Sequence, residues 1–99
     1  MEIIKTRNGA SLTVALRGRL DTNTSPSLER ELAGELASTE ELVFDLTDLA
    51  YVSSAGLRVF LLTQKQINRQ GGKMSVHHVA PEIQEVFRIT GFSDFLTIV

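Results

Sequence analysis

Leu12, Val14 and Leu16 alternate with Thr13, Ala15 and Arg17, whereas Leu28, Leu32 and Leu36 recur every fourth residue, and the chain keeps switching between these two periods. A period of two lines one face of a strand with apolar side chains; a period near four lines one face of a helix. A chain that alternates the two buries both kinds of face by laying helices on a sheet. The first β-prone stretch meets the second at Asn8-Gly9, the pair that most favours a tight hairpin. Ser25 then predicts an N-cap with Pro26 as the first helical residue, where a missing N–H costs nothing. The short run ELVFDL is apolar except at Asp45, which predicts a strand central in the sheet and covered on both sides or nearly so.

After TDLAYVS the period is helical again, with Leu57, Phe60, Leu61 and Ile67 sharing a face until Gly71-Gly72 ends the helix. KMSVHHV predicts a further strand. Pro81 opens a third helix through Ile83, Val86, Phe87 and Thr90, closed by Gly91, and FLTIV predicts a last strand. Strands alternating with helices make an α/β layer architecture, a mixed sheet with at least some parallel pairing. The predicted core is Leu28, Leu32, Leu36, Phe44, Leu46, Leu57, Leu61, Val86 and Phe87. Ninety-nine residues suit a single domain, 1–99.

A formal charge of −2 and scattered Lys and Arg offer no basic face for nucleic acid. The absence of cysteine removes disulfides and thiolate metal sites. Apolar runs are far shorter than the ~20 residues that cross a bilayer, and MEIIKTRNG has no signal-peptide core, so a cytoplasmic protein without a membrane partner is expected.

The run YVSSAGLRVF, residues 51–60, sets two hydroxyls at the mouth of the second helix. In an α/β sheet, the turn from a strand's carboxyl end into a helix is where sites form. Two readings stand together: Ser54 is an N-cap for the free amides of the first turn, or it is a hydroxyl that another protein modifies. Ala55 and Gly56 leave that hydroxyl unwalled, and a phosphate there would meet free N–H groups and the positive end of the helix dipole. Arg58, read in the same first turn, either suits an incoming phosphate or is simply solvated. Asp21 reads as a turn residue. Asp45 and Asp48 flank the predicted end of the central strand, where Asp45 accepts backbone hydrogen bonds or orients the Ser54 loop.

Three other features carry less. His77 and His78 are neighbours on a predicted strand, point to opposite faces and cannot grip one metal, so no metal and no cofactor is expected. VSSAG is not the Gly-x-Ser-x-Gly of a nucleophile elbow, and no enzyme is read from it. GGKMS lacks the upstream glycine and the ending of a phosphate loop and reads as a turn.

Gly18-Arg19-Leu20-Asp21, Asp45-Leu46, Ser53-Ser54-Ala55-Gly56-Leu57, Gly71-Gly72 and Gly91-Phe92 fall in an order that resembles the STAS domain, specifically the stand-alone bacterial anti-sigma-factor antagonists. The resemblance covers almost the whole chain. It implies a STAS-like mixed sheet and a non-enzymatic regulator, a monomer when free. Such an antagonist binds an anti-sigma factor that is also a serine kinase, and so releases a sigma factor. The kinase inactivates it by phosphorylating a serine, and a phosphatase reverses this. Carried over, the phosphorylated serine falls on Ser54, and the partner-binding residues are Asp21, Ser53, Ser54, Gly56 and Arg58. Ser53 stands where the best-known antagonists have aspartate, which bears on kinase recognition. The further C-terminal helix of many members is expected to be absent or shortened. The resemblance leaves one alternative, a STAS subunit of a transporter or lipid-trafficking assembly that docks on an ABC-type ATPase.

Overall fold

The computed structural model describes residues 1–99. Strand β1 (Glu2–Asn8) turns back antiparallel onto β2 (Ser11–Leu20), pairing Asn8 with Ser11. The loop is therefore Gly9-Ala10, one residue on from the predicted pair, and Gly9 takes the left-handed φ of 63° that its first position needs. Helix α1 (Ser25–Ala33) follows, then a 3₁₀ turn at Leu36–Ser38, β3 (Glu41–Val52), α2 (Ser54–Arg69), β4 (Lys73–His77), α3 (Pro81–Ile89) and a 3₁₀ turn at Phe92–Asp94. The strands lie in the order β1-β2-β3-β4, with β3 parallel to both β2 and β4.

Leu12, Val14 and Leu16 of β2, Leu42, Phe44 and Leu46 of β3, and Met74 and Val76 of β4 are buried on one face of this sheet. Their alternates Thr13, Ala15, Val43, Asp45, Ser75 and His77 are only half-buried. The central strand is thus covered on one face, not both; the apolar run around Asp45 conceals an alternation in which Val43 stands on the open side. Three edge-to-face rings cross the covered side, Phe44 to Phe60 at 5.0 Å and Phe60 to Phe87 at 6.0 Å between centroids, tying β3 to α2 and α3.

Four local expectations are corrected. The N-cap of α1 is Thr24, and Ser25 is already helical because its N–H and Oγ both donate to the Asp21 carbonyl, at 2.9 and 2.6 Å. Leu61 is half-buried and outside the core, because the inward arc of α2 is centred on Phe60, Thr63 and Ile67, with Val59 on its other flank. Val86 only packs against the core from its edge. The predicted last strand is a single bridge: Val76 donates to the Thr97 carbonyl at 2.8 Å and Val99 donates to the Val76 carbonyl at 2.9 Å, while residues 92–94 form the 3₁₀ turn.

β3 is also longer than expected and runs straight through TDLAYV to Val52. It spends two more residues than β2 over the same span, since Ala15 pairs with Asp45 but Arg17 with Asp48, and Gly18 with Leu49 but Arg19 with Tyr51. These are bulges. At the first, Asp45 Oδ1 accepts the Thr47 N–H at 3.1 Å and the Thr47 hydroxyl at 2.6 Å, which supplies the partners that the interrupted ladder lacks.

Candidate functional site

The carboxyl ends of β2 and β3 lie side by side, with Leu20 opposite Val52 and the Ser53 N–H donating to the Leu20 carbonyl at 2.9 Å. The turn leaving β2 and the turn entering α2 are therefore neighbours, which brings Asp21 and the two serines to the same end of the sheet. Ser53 has extended backbone and is the N-cap: its Oγ accepts the Gly56 N–H at 3.3 Å. The cap thus falls on Ser53 and not on Ser54. Ser54 is the first helical residue, is exposed and takes no part in the capping bond. The two readings of the serine pair are divided between the two serines.

Gly56 is buried under the end of the sheet, where an added Cβ would stand 2.7 Å from Leu20 Cγ and 2.9 Å from Val52 Cγ2. It lets the first turn of α2 come down onto β2 and β3, and that close approach holds Ser54 at a fixed height above the strand ends. Arg58 lies one turn further along α2 than the sequence reading had it, exposed and i+4 from Ser54, so that the two share a helix face.

Asp21 builds the neighbouring loop. Its Oδ1 accepts the backbone N–H groups of Asn23 at 2.9 Å and Thr24 at 3.0 Å, an Asx turn that feeds α1. The Thr24 N–H first, with that of Asn23, holds the Asp21 carboxyl below the ordinary carboxylate range. Arg19 reaches across from β2 to lay its guanidinium over the Tyr51 ring, 4.1 Å from the centroid, with its Nε 3.9 Å from Asp21 Oδ2. Sequence reasoning missed Arg19 and Tyr51 as members of this cluster. The signal that would have found them is the β2–β3 register, and two bulges put that register out of reach of periodicity.

Asp45 does not touch the Ser54 loop. It lies mid-strand at the bulge, and its Oδ1 is 3.2 Å from His78 Nδ1. The Thr47 hydroxyl, followed by the Thr47 N–H and His78, keeps its carboxyl below the ordinary range. Asp48 lies within β3 and pairs with Arg17 at 3.3 Å. β4 ends at His77, since His78 takes a left-handed φ of 58°; His77 meets Ser75 Oγ at 2.9 Å instead. Gly71-Gly72 is the turn that GGKMS suggested. No helix is long and apolar enough to cross a membrane.

The STAS domain family model matches residues 2–99. The chain is 37% identical over 93 residues to BtrV of Bordetella bronchiseptica, named as a candidate anti-sigma factor antagonist, spanning 93% of this chain and 80% of that protein. It is 33% identical over 89 residues to the anti-sigma F factor antagonist of Paenibacillus polymyxa, spanning 88% of this chain and 76% of that one. Among solved structures, the anti-sigma factor antagonist SpoIIAA in its unphosphorylated form superposes with a TM-score of 0.87 at 13% identity, over 99% of this chain and 88% of that one. The phosphorylated form of the Bacillus protein gives 0.80 at 13% identity, over 99% and 91%. At that identity the likeness is one of fold.

Proposed function

The chain belongs to the STAS domain family, and we propose that within it the protein is an anti-sigma factor antagonist switched by phosphorylation of Ser54. One observation carries the switch. Ser53 supplies the helix cap, so the exposed Ser54 hydroxyl is left free for chemistry at the carboxyl end of the central strand. The names of the relatives support the antagonist role, and a solved phosphorylated form of SpoIIAA supports phosphate as the modification. The partner is an anti-sigma factor with serine-kinase activity, met in the cytoplasm. Its docking surface is the strand-end cluster of Asp21, Ser53, Ser54 and Arg58, with Gly56 beneath it. A phosphatase restores the hydroxyl. The protein itself acts as a binding module and not as an enzyme.

Phosphate on Ser54 adds about −1.5 to −2 charges at neutral pH. At the first position of α2 that charge meets free amides and the positive dipole end, so the fold tolerates it. Inside a desolvated interface the same charge lacks a partner, and such a charge costs several kcal/mol, enough for a hundredfold or larger loss of affinity. The switch acts on the complex and leaves the fold alone.

The test is incubation with the anti-sigma factor kinase of the same genome and ATP, followed by peptide mass spectrometry. Phosphate on Ser54, lost in Ser54→Ala, is expected. Phosphate on Ser53 alone, or retained in Ser54→Ala, overturns the assignment. Binding to an ABC-type ATPase with no phosphate transfer would move the function to a transporter subunit.

A further inference from the structure

Helix α2 contains no aspartate or glutamate, yet it carries Arg58, Lys65 and Arg69 in a chain whose net charge is −2. All three are exposed, and none takes part in an ion pair. Of the seven cations outside α2, five, Lys5, Arg7, Arg17, Arg19 and Arg88, each stand within 4 Å of a carboxylate, and the unpaired two, Arg30 and Lys73, lie on different elements and form no row. Between Arg58 and Lys65 the same outward face presents Leu62, which is 44% exposed, with the half-buried Leu61 at its margin. Leu62 forms one lip of a groove of about 180 Å³ between α1 and α2, walled by Leu32, Ala33, Leu36 and Val59. Glu29 is the one acid on its rim.

An exposed leucine beside an apolar groove is a docking feature when a charge pattern says what covers it. Here the pattern is a row of uncompensated cations one or two turns apart along the helix, flanking the apolar strip. We infer that the α1–α2 groove with the outward face of α2 binds an acidic amphipathic helix of a partner protein. Its apolar side chains seat in the groove against Leu62, and its carboxylates face Arg58, Lys65 and Arg69. This surface shares Arg58 with the strand-end cluster but otherwise lies beyond it along α2, and it needs neither kinase nor phosphate.

The probe is a fluorescent helical peptide of about five turns, with leucines at the i, i+3, i+4, i+7 spacing and glutamates elsewhere, beside a second peptide with lysine for every glutamate. The glutamate peptide is expected to bind in the micromolar range, with amide shifts confined to α1 and α2. The triple variant Arg58→Glu, Lys65→Glu, Arg69→Glu should weaken it at least tenfold, as should Leu62→Asp, and raising salt from about 0.05 to 0.5 M should weaken it further. All four positions are solvent-facing, and circular dichroism checks that the variants fold. No binding at millimolar peptide, equal binding of the lysine peptide, or shifts centred on the exposed Ile89 and Phe95 would overturn the inference. Because the peptide carries no kinase, its failure leaves the Ser54 experiment untouched.

Discussion

The Ser53 hydroxyl accepts the Gly56 N–H at 3.3 Å, while Ser54, the next residue, starts the helix with its side chain exposed. Neighbouring serines therefore differ in kind. Ser53→Ala should cost about 1 kcal/mol, the usual value of a lost cap, and Ser54→Ala less than about 0.5 kcal/mol. Urea unfolding of the two variants checks this, and equal losses would remove the division of labour.

Gly56→Ala should destabilise by roughly 1–3 kcal/mol, the range for overpacking, because its Cβ would stand inside contact distance of Leu20 and Val52. Since the Leu20 and Val52 side chains or the first turn of α2 must shift to admit the methyl group, the amide shifts should change at Ser53, Ser54 and Leu20 together. Two-dimensional NMR reads this directly.

Phe60 is fully buried between Phe44 and Phe87, whereas Leu61 is half-buried at the margin of the inward arc. Phe60→Ala should lose about 3–5 kcal/mol and Leu61→Ala under about 1 kcal/mol. Thermal and chemical unfolding of both variants measures the contrast.

Asp21→Ala should cost about 1 kcal/mol, since the Asn23 and Thr24 amides lose their acceptor at the start of α1. Asp21→Asn keeps that acceptor and should keep the stability. A kinase affinity that falls in both variants would mark a binding role separate from the structural one.

Asp21 and Asp45 both hold their protons less tightly than ordinary carboxylates in the folded chain. The unfolded chain then binds protons more readily as acid is added. The stabilisation is whole above the ordinary carboxylate value of about 4 and is lost as pH falls through the lower folded values. Stability should be level from about pH 5 to 7 and decline below about pH 4, and Asp45→Asn should shallow that decline. Urea midpoints across this range provide the measurement.

Switching periods, the Pro81 start and the Gly71-Gly72 stop settled the element order, because such signals are local and each is written in a few consecutive residues. The YVSSAGLRVF run likewise pointed to the candidate site by its place between strand and helix, and the structure has that strand-to-helix junction at Ser53. Tertiary structure alone decided which serine caps, since that depends on where the backbone leaves β3, and β3 runs six residues past the point where ELVFDL ends. It also decided that Arg19 lies on Tyr51, through two bulges that shift the β2–β3 register. That the C-terminal run makes one bridge in place of a strand is a third such outcome. Periodicity reports which side chains share a face within one element; pairing between elements rests on hydrogen bonds and packing from distant parts of the chain, which no local pattern encodes.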